Sequence, residues 1–184
     1  MCGIIGYIGK KDVVPILVQG LRRLEYRGYD SAGIAVSNND HITCVKSIGK
    51  IENLSKKLEG HPVAGTVGIA HTRWATHGGV TLQNAHPHSA DSGNLVIVHN
   101  GIIENYRELR EELGVVCVSE TDTEVIGHLV ASCYKGDLKE AVMLALKKVR
   151  GTYGVVVMHN NNPDQLVVAR MGSPIVIGVG HDND

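Results

Sequence analysis

The sequence predicts an α+β fold in which helices pack on layers of antiparallel sheet. Short apolar runs of strand length occur in groups along the chain, and segments with helical spacing of apolar residues lie between these groups. The chain has 184 residues, 43% of them hydrophobic, which is enough for one domain with a substantial core. Because phenylalanine is absent, we expect this core to be aliphatic.

The first quarter of the chain predicts a strand, a helix and a hairpin. Residues 2–8 are an apolar run that predicts a buried strand. Asp12 precedes a helix whose apolar residues share one face and whose first turn contains Pro15. Residues 33–37 and 42–47 predict a hairpin, because the polar stretch between them is typical of a turn.

The next segment predicts a short helix and two strands with a long loop between the strands. A charged helix fits residues 50–58, and apolar runs predict strands over 67–71 and 95–98. Residues 72–93 are irregular and rich in His, Asn, Thr and Gly. Since loops of this length inside a compact domain are usually functional or disordered, this loop is a candidate site.

Helices predominate in the following part of the chain. Helical spacing predicts a helix over 102–113, and a short apolar run predicts a strand over 115–118. Residues 121–124 form a capping-box pattern, which indicates that a helix begins there. A second helix is predicted over 138–149.

The C-terminal part predicts strands again. Three apolar runs cover residues 153–158, 166–170 and 175–179, and the polar residues 160–164 predict a turn between the first two. The sequence has no internal repeat and no interdomain linker, so we predict a single domain over residues 1–184.

Charge and composition argue against several classes of function. The 18 basic and 19 acidic residues are mixed along the chain, and the net charge of −1 gives no basic surface for nucleic acid or an anionic membrane. The N-terminus lacks the basic region of a signal peptide, and no apolar run reaches the length of a membrane span. We therefore expect a cytoplasmic protein without nucleic-acid or membrane partners.

The histidines and cysteines do not form a recognisable metal-binding pattern. His86 and His88, with His71 and His77, are the densest group, but no carboxylate or cysteine follows them at ligand spacing. The four cysteines show no CxxC spacing, and the N-terminal glycines lack the arrangement of a phosphate-binding loop. We expect neither a metal nor a cofactor.

Cys2 directly follows the initiator methionine and is the candidate nucleophile. If Met1 is removed, Cys2 carries both a thiol and a free α-amino group. The pKa of that amine, roughly 7.7–8.0, suits a general base near neutral pH. Alternatively, Cys2 is a small apolar residue at the start of a buried strand.

The segment 71–78, where a strand enters the polar loop, is a candidate binding site. Arg73 offers a planar guanidinium that matches a carboxylate, and Trp74, Thr76 and His77 lie beside it in the sequence. Alternatively, Arg73 forms a surface ion pair and Trp74 anchors the loop in the core.

Asn100 and Gly101 follow the apolar strand 95–98. An Asn-Gly pair is the leading signal for a tight hairpin turn, but the predicted helix over 102–113 leaves no second strand for a hairpin. A side-chain amide beside a backbone N–H is also a suitable pair of donors for an oxyanion. Both interpretations remain open from the residues alone.

Two further segments carry polar candidates. Asp122 lies in the first turn of a predicted helix, where a carboxylate either interacts with the helix dipole or binds a substrate ammonium. Arg27 and Tyr29 lie in a polar segment after the first helix, which is either a simple connection or a mobile loop near the first strand.

Five segments of the chain, taken in order, carry distinctive motifs. They are the N-terminal Met-Cys-Gly-Ile and the segments 24–33, 71–78, 99–105 and 119–124. Together they resemble the glutaminase domains of class II glutamine amidotransferases, and within that class those of the glutamine–fructose-6-phosphate aminotransferases (glucosamine-6-phosphate synthases). The related phosphoribosyl-pyrophosphate amidotransferases typically differ at the second and third motifs.

The resemblance implies an N-terminal nucleophile hydrolase fold, an αββα sandwich of two antiparallel sheets between helical layers. It also implies that Cys2, freed of Met1, attacks the side-chain amide of L-glutamine with its own amine as base. Asn100 and the Gly101 N–H would stabilise the oxyanion. Water would then release glutamate from a thioester.

The resemblance further implies which residues bind the substrate. Arg73, with Thr76 and His77, would bind the α-carboxylate of glutamine, and Asp122 its α-ammonium. Three residues would close over the bound substrate or lie beside it: Arg27, Tyr29 and Trp74.

The family's full-length enzymes continue into sugar-isomerase domains, which bind fructose 6-phosphate and are absent from this chain. We expect a glutaminase domain truncated at its C-terminus, which in full-length form supplies ammonia to make glucosamine 6-phosphate and can form a homodimer. Two alternatives are the corresponding domain of a phosphoribosyl-pyrophosphate amidotransferase and a non-catalytic glutamine-binding regulatory module.

Overall fold

The computed structural model describes residues 2–38, 41–75 and 78–180 and contains two four-stranded antiparallel sheets. The strands of the first sheet are β1 (Gly3–Ile8), β2 (Ser31–Ser37), β3 (Ile42–Ile48) and β4 (Val67–Arg73). Those of the second are β5 (His88–Ala90), β6 (Leu95–Ile103), β7 (Gly151–His159) and β8 (Val167–Met171). The strand orders are β1-β4-β2-β3 and β5-β6-β7-β8.

Helices cover the outer face of each sheet. Helices α1 (Val13–Leu24) and α2 (Ile51–Gly60) pack on the first sheet. On the second sheet lie α3 (Tyr106–Leu113), α4 (Asp122–Cys133) and α5 (Leu138–Leu146), with α4 in contact with β5, β6 and both neighbouring helices. The layers are therefore helix, sheet, sheet, helix, which is the αββα order that the resemblance implied.

Alternating side chains of the strands divide the core into separate clusters. In β6, Leu95 and Ile97 pack in the cluster beneath the second helical layer. Val96 and Val98, which point the opposite way, pack in the cluster between the two sheets. The two-residue periodicity of a strand thus places one strand between two apolar layers.

Most of the predicted elements are confirmed. The Asp12 side chain accepts a hydrogen bond of 3.2 Å from the Val14 N–H at the start of α1. Strands β2 and β3 form the predicted hairpin, in register from Ser31↔Ile48 to Ser37↔Ile42. Among the described residues, no helix combines the length and apolarity needed to cross a membrane.

The prediction was wrong around the Asn-Gly pair. Strand β6 runs through Asn100 and Gly101 to Ile103, and α3 begins only at Tyr106. The cause is pairing with β7, which continues without a break to Ile103↔Gly151. The hairpin-turn interpretation is therefore excluded, and so is a helix that includes residue 102.

Two predicted strands are not formed. Residues 115–118 are irregular, because the N–H groups of Val118 and Ser119 bond to the Glu124 carboxylate at 2.8 and 2.6 Å rather than to a strand. Residues 175–179 are also irregular. The polar loop predicted over 72–93 contains the end of β4 and the short strand β5.

The predicted capping box is replaced by a different arrangement. Thr121 occupies the N-cap position of α4, but its side chain makes no capping hydrogen bond. Its hydroxyl lies 3.1 Å from His88 Nε2, and Glu124 holds the preceding loop. The helix begins where the motif predicted, for a different physical reason.

Candidate active site

Cys2 lies at the end of the first sheet, against the last residues of β4. Pairing of Gly3 with Thr72 brings the thiol beside Trp74. The Trp74 N–H donates to Cys2 Sγ at 3.2 Å, and Sγ lies 3.5 Å from the Trp74 carbonyl oxygen. The thiol is therefore held by the backbone of the segment that the sequence singled out.

The surroundings of Cys2 favour the neutral thiol. Burial raises the pKa of Cys2, and the Trp74 N–H and the Arg73 guanidinium offset this only in part. A thiol with a raised pKa needs a base to become a nucleophile near neutral pH. A nucleophilic role for Cys2 thus requires a proton acceptor close to Sγ.

Arg73 is buried at the end of β4, with 3% of its surface exposed. Its guanidinium donates to the carbonyl oxygens of Gly79 at 3.0 Å and Gly78 at 3.4 Å. Burial lowers its pKa, but a guanidinium remains charged at neutral pH. A surface ion pair, the alternative considered from the sequence, is therefore wrong. Thr76 and His77 lie outside the described residues.

Two residues that the sequence analysis missed hold the loop facing Arg73. Glu120 Oε2 accepts hydrogen bonds from the Gly79 N–H at 3.1 Å and from Asn84 Nδ2 at 2.8 Å. Asn84 in turn accepts from the Glu120 N–H at 2.9 Å. These hydrogen bonds fix the carbonyl groups to which Arg73 donates. The fifth motif, 119–124, contains Glu120, but the sequence offered no signal for its partner 36 positions away.

The segment after α1 packs against the same end of β4. The Thr72 hydroxyl donates to the Gly28 carbonyl oxygen, and the Tyr29 ring meets the Trp74 ring edge-on at 5.6 Å between centroids. Arg27 is half-buried in a 3-10 turn. Arg27 and Tyr29 therefore flank the site rather than line it, and Trp74 is 45% exposed rather than anchored in the core.

Asn100 and Gly101 approach the site from the second sheet. His71 Nε2 of β4 lies 2.9 Å from Asn100 Oδ1, so the contact joins the two sheets. Gly101 has a φ of +142°, and a Cβ there would lie 2.0 Å from the Thr152 carbonyl oxygen. Only glycine fits at this position.

Asp122 is the first residue of α4 and is 5% exposed. Its Oδ2 accepts a hydrogen bond of 2.8 Å from the Ile103 N–H, and Oδ1 lies 3.9 Å from His99 Nδ1. The carboxylate therefore joins the end of β6 to the start of α4, in addition to any interaction with the helix dipole.

A cavity of about 30 Å³ lies between several of these residues, whereas Asn100 is not among those that line it. The residues that line it are Cys2, Arg73, Trp74, His86, His99, Gly101, Thr121, Asp122 and Thr123. A thiol, a guanidinium, a carboxylate and a strand glycine thus surround one small polar space.

Four buried histidines line this cavity or lie behind it. They are His71, His86, His88 and His99. The His71 and His86 rings stack at 4.1 Å between centroids, and the Thr123 hydroxyl lies 2.9 Å from His86 Nε2 and 3.0 Å from His99 Nδ1. Burial lowers the pKa of His71 to about 3 and that of His86 and His88 well below the ordinary histidine value. The histidines with lowered pKa are neutral at pH 7 and make polar contacts within the core.

Residues of metal-ligand type meet elsewhere in the described chain. The ligand atoms of Cys117, Glu124 and His128 lie within 4.8 Å of one another. Glu124, however, already accepts hydrogen bonds from the N–H groups of Val118 and Ser119. These bonds explain the position of Glu124 without a metal.

Comparison of the sequence with known proteins shows that the chain is similar to amidotransferases. A family model described as a glutamine amidotransferase domain matches residues 71–176. The glutamine–fructose-6-phosphate aminotransferase (isomerizing) of Clostridium tetani is 53% identical over 185 residues, which cover 99% of this chain and 30% of the relative. The enzyme of the same name from Escherichia coli K12 is 55% identical over 186 residues, or 98% of this chain and 30% of the relative. The chain thus spans about a third of the length of these relatives.

A solved structure shares the fold. The glutamine phosphoribosylpyrophosphate amidotransferase from B. subtilis, complexed with ADP and GMP, superposes with a TM-score of 0.79 at 28% identity. The match covers 92% of this chain and 37% of that one. Together with the two antiparallel sheets between helical layers, it confirms the predicted N-terminal nucleophile hydrolase fold.

Proposed function

Since the chain belongs to the glutamine amidotransferase domain family, we propose that it hydrolyses L-glutamine to glutamate and ammonia through a thioester on Cys2. The observation that carries the proposal is the single cavity lined by Cys2, Arg73, Gly101 and Asp122. It holds a nucleophile together with one cationic and one anionic group, which matches an amino acid that carries a reactive amide.

The proposed reaction begins with removal of Met1. The α-amino group of Cys2 takes the thiol proton, and the thiolate attacks the amide carbon of the glutamine side chain. The carbon–nitrogen bond then breaks, and ammonia leaves with the proton returned by the amine. Water attacks the γ-glutamyl thioester, the sulfur regains a proton, and glutamate is released. The raised pKa of Cys2 is the reason that a base is needed.

Asn100 Nδ2 and the Gly101 N–H are the proposed donors to the oxyanion. Both belong to β6, a strand paired with β7 along its whole length. Donors fixed in a sheet need little reorganisation when charge develops on the oxygen, which is the basis of this kind of stabilisation.

Arg73 is the proposed ligand of the substrate α-carboxylate, with Thr76 and His77, and Asp122 that of the α-ammonium. Because the space among the described side chains is small, about 30 Å³, we expect neighbouring chain to move when glutamine binds. We propose that the segments bearing Arg27, Tyr29 and Trp74 open and close over the substrate.

In the full-length protein we propose that the ammonia aminates fructose 6-phosphate, giving glucosamine 6-phosphate, in sugar-isomerase domains outside this chain. The support is the identity of 53–55% to aminotransferases of that name, against 28% to the phosphoribosylpyrophosphate enzyme. A cytoplasmic location and a homodimer of the full-length protein are part of the same proposal.

Labelling with 6-diazo-5-oxo-L-norleucine, a glutamine-like electrophile, tests the nucleophile. We expect one adduct by intact mass, on Cys2 of protein that lacks Met1, and none on Cys2→Ala. Protein treated in the same way is assayed for glutamate release, which should stop as the adduct forms. Labelling of Cys44, Cys117 or Cys133 instead would contradict the mechanism. Glutamine binding without release of glutamate would favour a non-catalytic regulatory module.

A further inference from the structure

His71 is a fully buried residue of β4 whose ring contacts the second sheet. Its Nε2 lies 3.1 Å from the His99 carbonyl oxygen and 2.9 Å from the side-chain oxygen of Asn100. A backbone carbonyl can only accept a hydrogen bond, so Nε2 must carry the ring proton to satisfy this contact.

The same proton determines how the Asn100 amide is oriented. An N–H that faces two atoms needs an acceptor at each, so Asn100 must present Oδ1 to His71 rather than Nδ2. The two hydrogens on Nδ2 are then directed away from His71. The His99 carbonyl therefore sets the His71 tautomer, and the tautomer sets the Asn100 amide.

The core around His71 disfavours the other states of the ring. Burial lowers its pKa to about 3, so the ring is neutral near pH 7. Its Nδ1 has no hydrogen-bond partner among the described residues, and the ring stacks on His86. A proton on Nδ1 would be buried without an acceptor and would leave the Nε2 lone pair facing two oxygens.

We propose that His71 is a positioning residue, whose Nε2–H holds the Asn100 amide with its Nδ2 donor available to the oxyanion. The inference rests on the proposed function, since it concerns the oxyanion of glutamine hydrolysis. His71 does not touch the substrate and acts only through Asn100. Strand β4 also carries Arg73 as its last residue, and the next residue, Trp74, donates its N–H to Cys2 Sγ. One segment of chain therefore orders Asn100, Arg73 and the thiol.

Kinetics of His71 variants test the inference. We expect His71→Leu to lower kcat for glutamine hydrolysis by about 10- to 100-fold, less than the 10²–10³ typical of deleting an oxyanion donor, with little change in KM. His71→Gln, whose Nε2 can donate from a similar position, should recover most of that loss. Unchanged kcat in His71→Leu, or no recovery in His71→Gln, would overturn the proposal.

A double-mutant comparison separates positioning from a general structural role. In an Asn100→Ala background, His71→Leu should lower kcat no further, because the group it positions is gone. An equal loss in both backgrounds would show that His71 acts on something other than Asn100.

The tautomer can be measured in the wild-type protein, so the test survives if His71→Leu does not fold. The ¹⁵N shifts of the His71 ring should report a proton on Nε2 at pH 7, and a proton on Nδ1 or an imidazolium would overturn the proposal. Wild-type protein without glutaminase activity would refute the proposed function. Active wild-type protein with the wrong tautomer would refute only this inference.

Discussion

Replacing Gly101 with alanine should damage both the fold and the site. The φ of +142° at Gly101 belongs to a region that side chains rarely adopt, which costs about 1–3 kcal/mol for a residue other than glycine. The new Cβ would lie 2.0 Å from the Thr152 carbonyl oxygen and 2.9 Å from His99 Nε2. The first distance must grow to at least 3.0 Å, so strands β6 and β7 have to separate locally by about 1 Å.

The expected loss of stability follows from these two effects. Forcing an extra carbon into a packed position costs about 1–3 kcal/mol, which with the backbone strain gives about 2–6 kcal/mol. For a domain of this size, each kcal/mol lowers Tm by about 2–4 °C. A shift of the proposed oxyanion donor by about 1 Å should also reduce kcat by up to about 100-fold.

Thermal unfolding followed by circular dichroism, with a glutamate-release assay, measures both effects. Gly60→Ala is the matched control, because a Cβ at this last residue of α2 meets no atom within 4 Å. That change should leave activity intact and raise stability by about 0.4–1 kcal/mol. The reasoning fails if Gly101→Ala melts no lower than Gly60→Ala and retains its kcat.

Three other substitutions have distinct expected outcomes. Asn100→Ala should lower kcat by roughly 10²–10³, and an unchanged rate would remove Asn100 from the proposed site. Asp122→Asn keeps an oxygen for the Ile103 N–H but loses the charge, so KM for glutamine should rise while Tm changes little; a fall in Tm alone would indicate a purely structural role. Glu124→Gln should weaken the dependence of stability on acid pH. Although burial opposes the shift, hydrogen bonds from Ser119 and Val118 lower the pKa of Glu124. Its contribution to the free energy of unfolding is therefore present above the ordinary glutamate pKa of about 4.3 and lost as pH falls through the lowered folded value. Urea unfolding from pH 7 to pH 3 measures this, and identical pH profiles for wild type and variant would contradict it.

Local sequence patterns predicted the elements that are stabilised by residues close together in the chain. The helix after Asp12 was predictable because its cap and its apolar face lie within a few residues of each other. The path of β6 was not, because its last residues are held by β7, about fifty positions away in the chain. Residues 102–113 have helical spacing, and strand pairing overrides it at Ile102 and Ile103.

The residues of the site were likewise predictable from local motifs, whereas the contacts that support them were not. Cys2, Arg73, Trp74, Gly101 and Asp122, singled out from motifs, meet around one cavity. The supporting contacts were not visible in the sequence, because each joins segments far apart in the chain. The Asn84–Glu120 and His71–Asn100 pairs are 36 and 29 positions apart. The sequence analysis placed His71 in the segment 71–78 and in the group of histidines, but assigned it no role toward Asn100.

The burial of Arg73 has a consequence for the energetics of ligand binding. The guanidinium has already exchanged bulk water for the carbonyl oxygens of Gly78 and Gly79. A carboxylate that reaches Arg73 therefore replaces neutral acceptors with a charged one and strips little water from the cation. The cost of desolvating Arg73 falls on the stability of the folded chain, so affinity for an acidic group depends on how readily the 78–79 backbone gives up its hydrogen bonds. Changes at Asn84 or Glu120, which hold that backbone, should therefore alter affinity without touching the ligand.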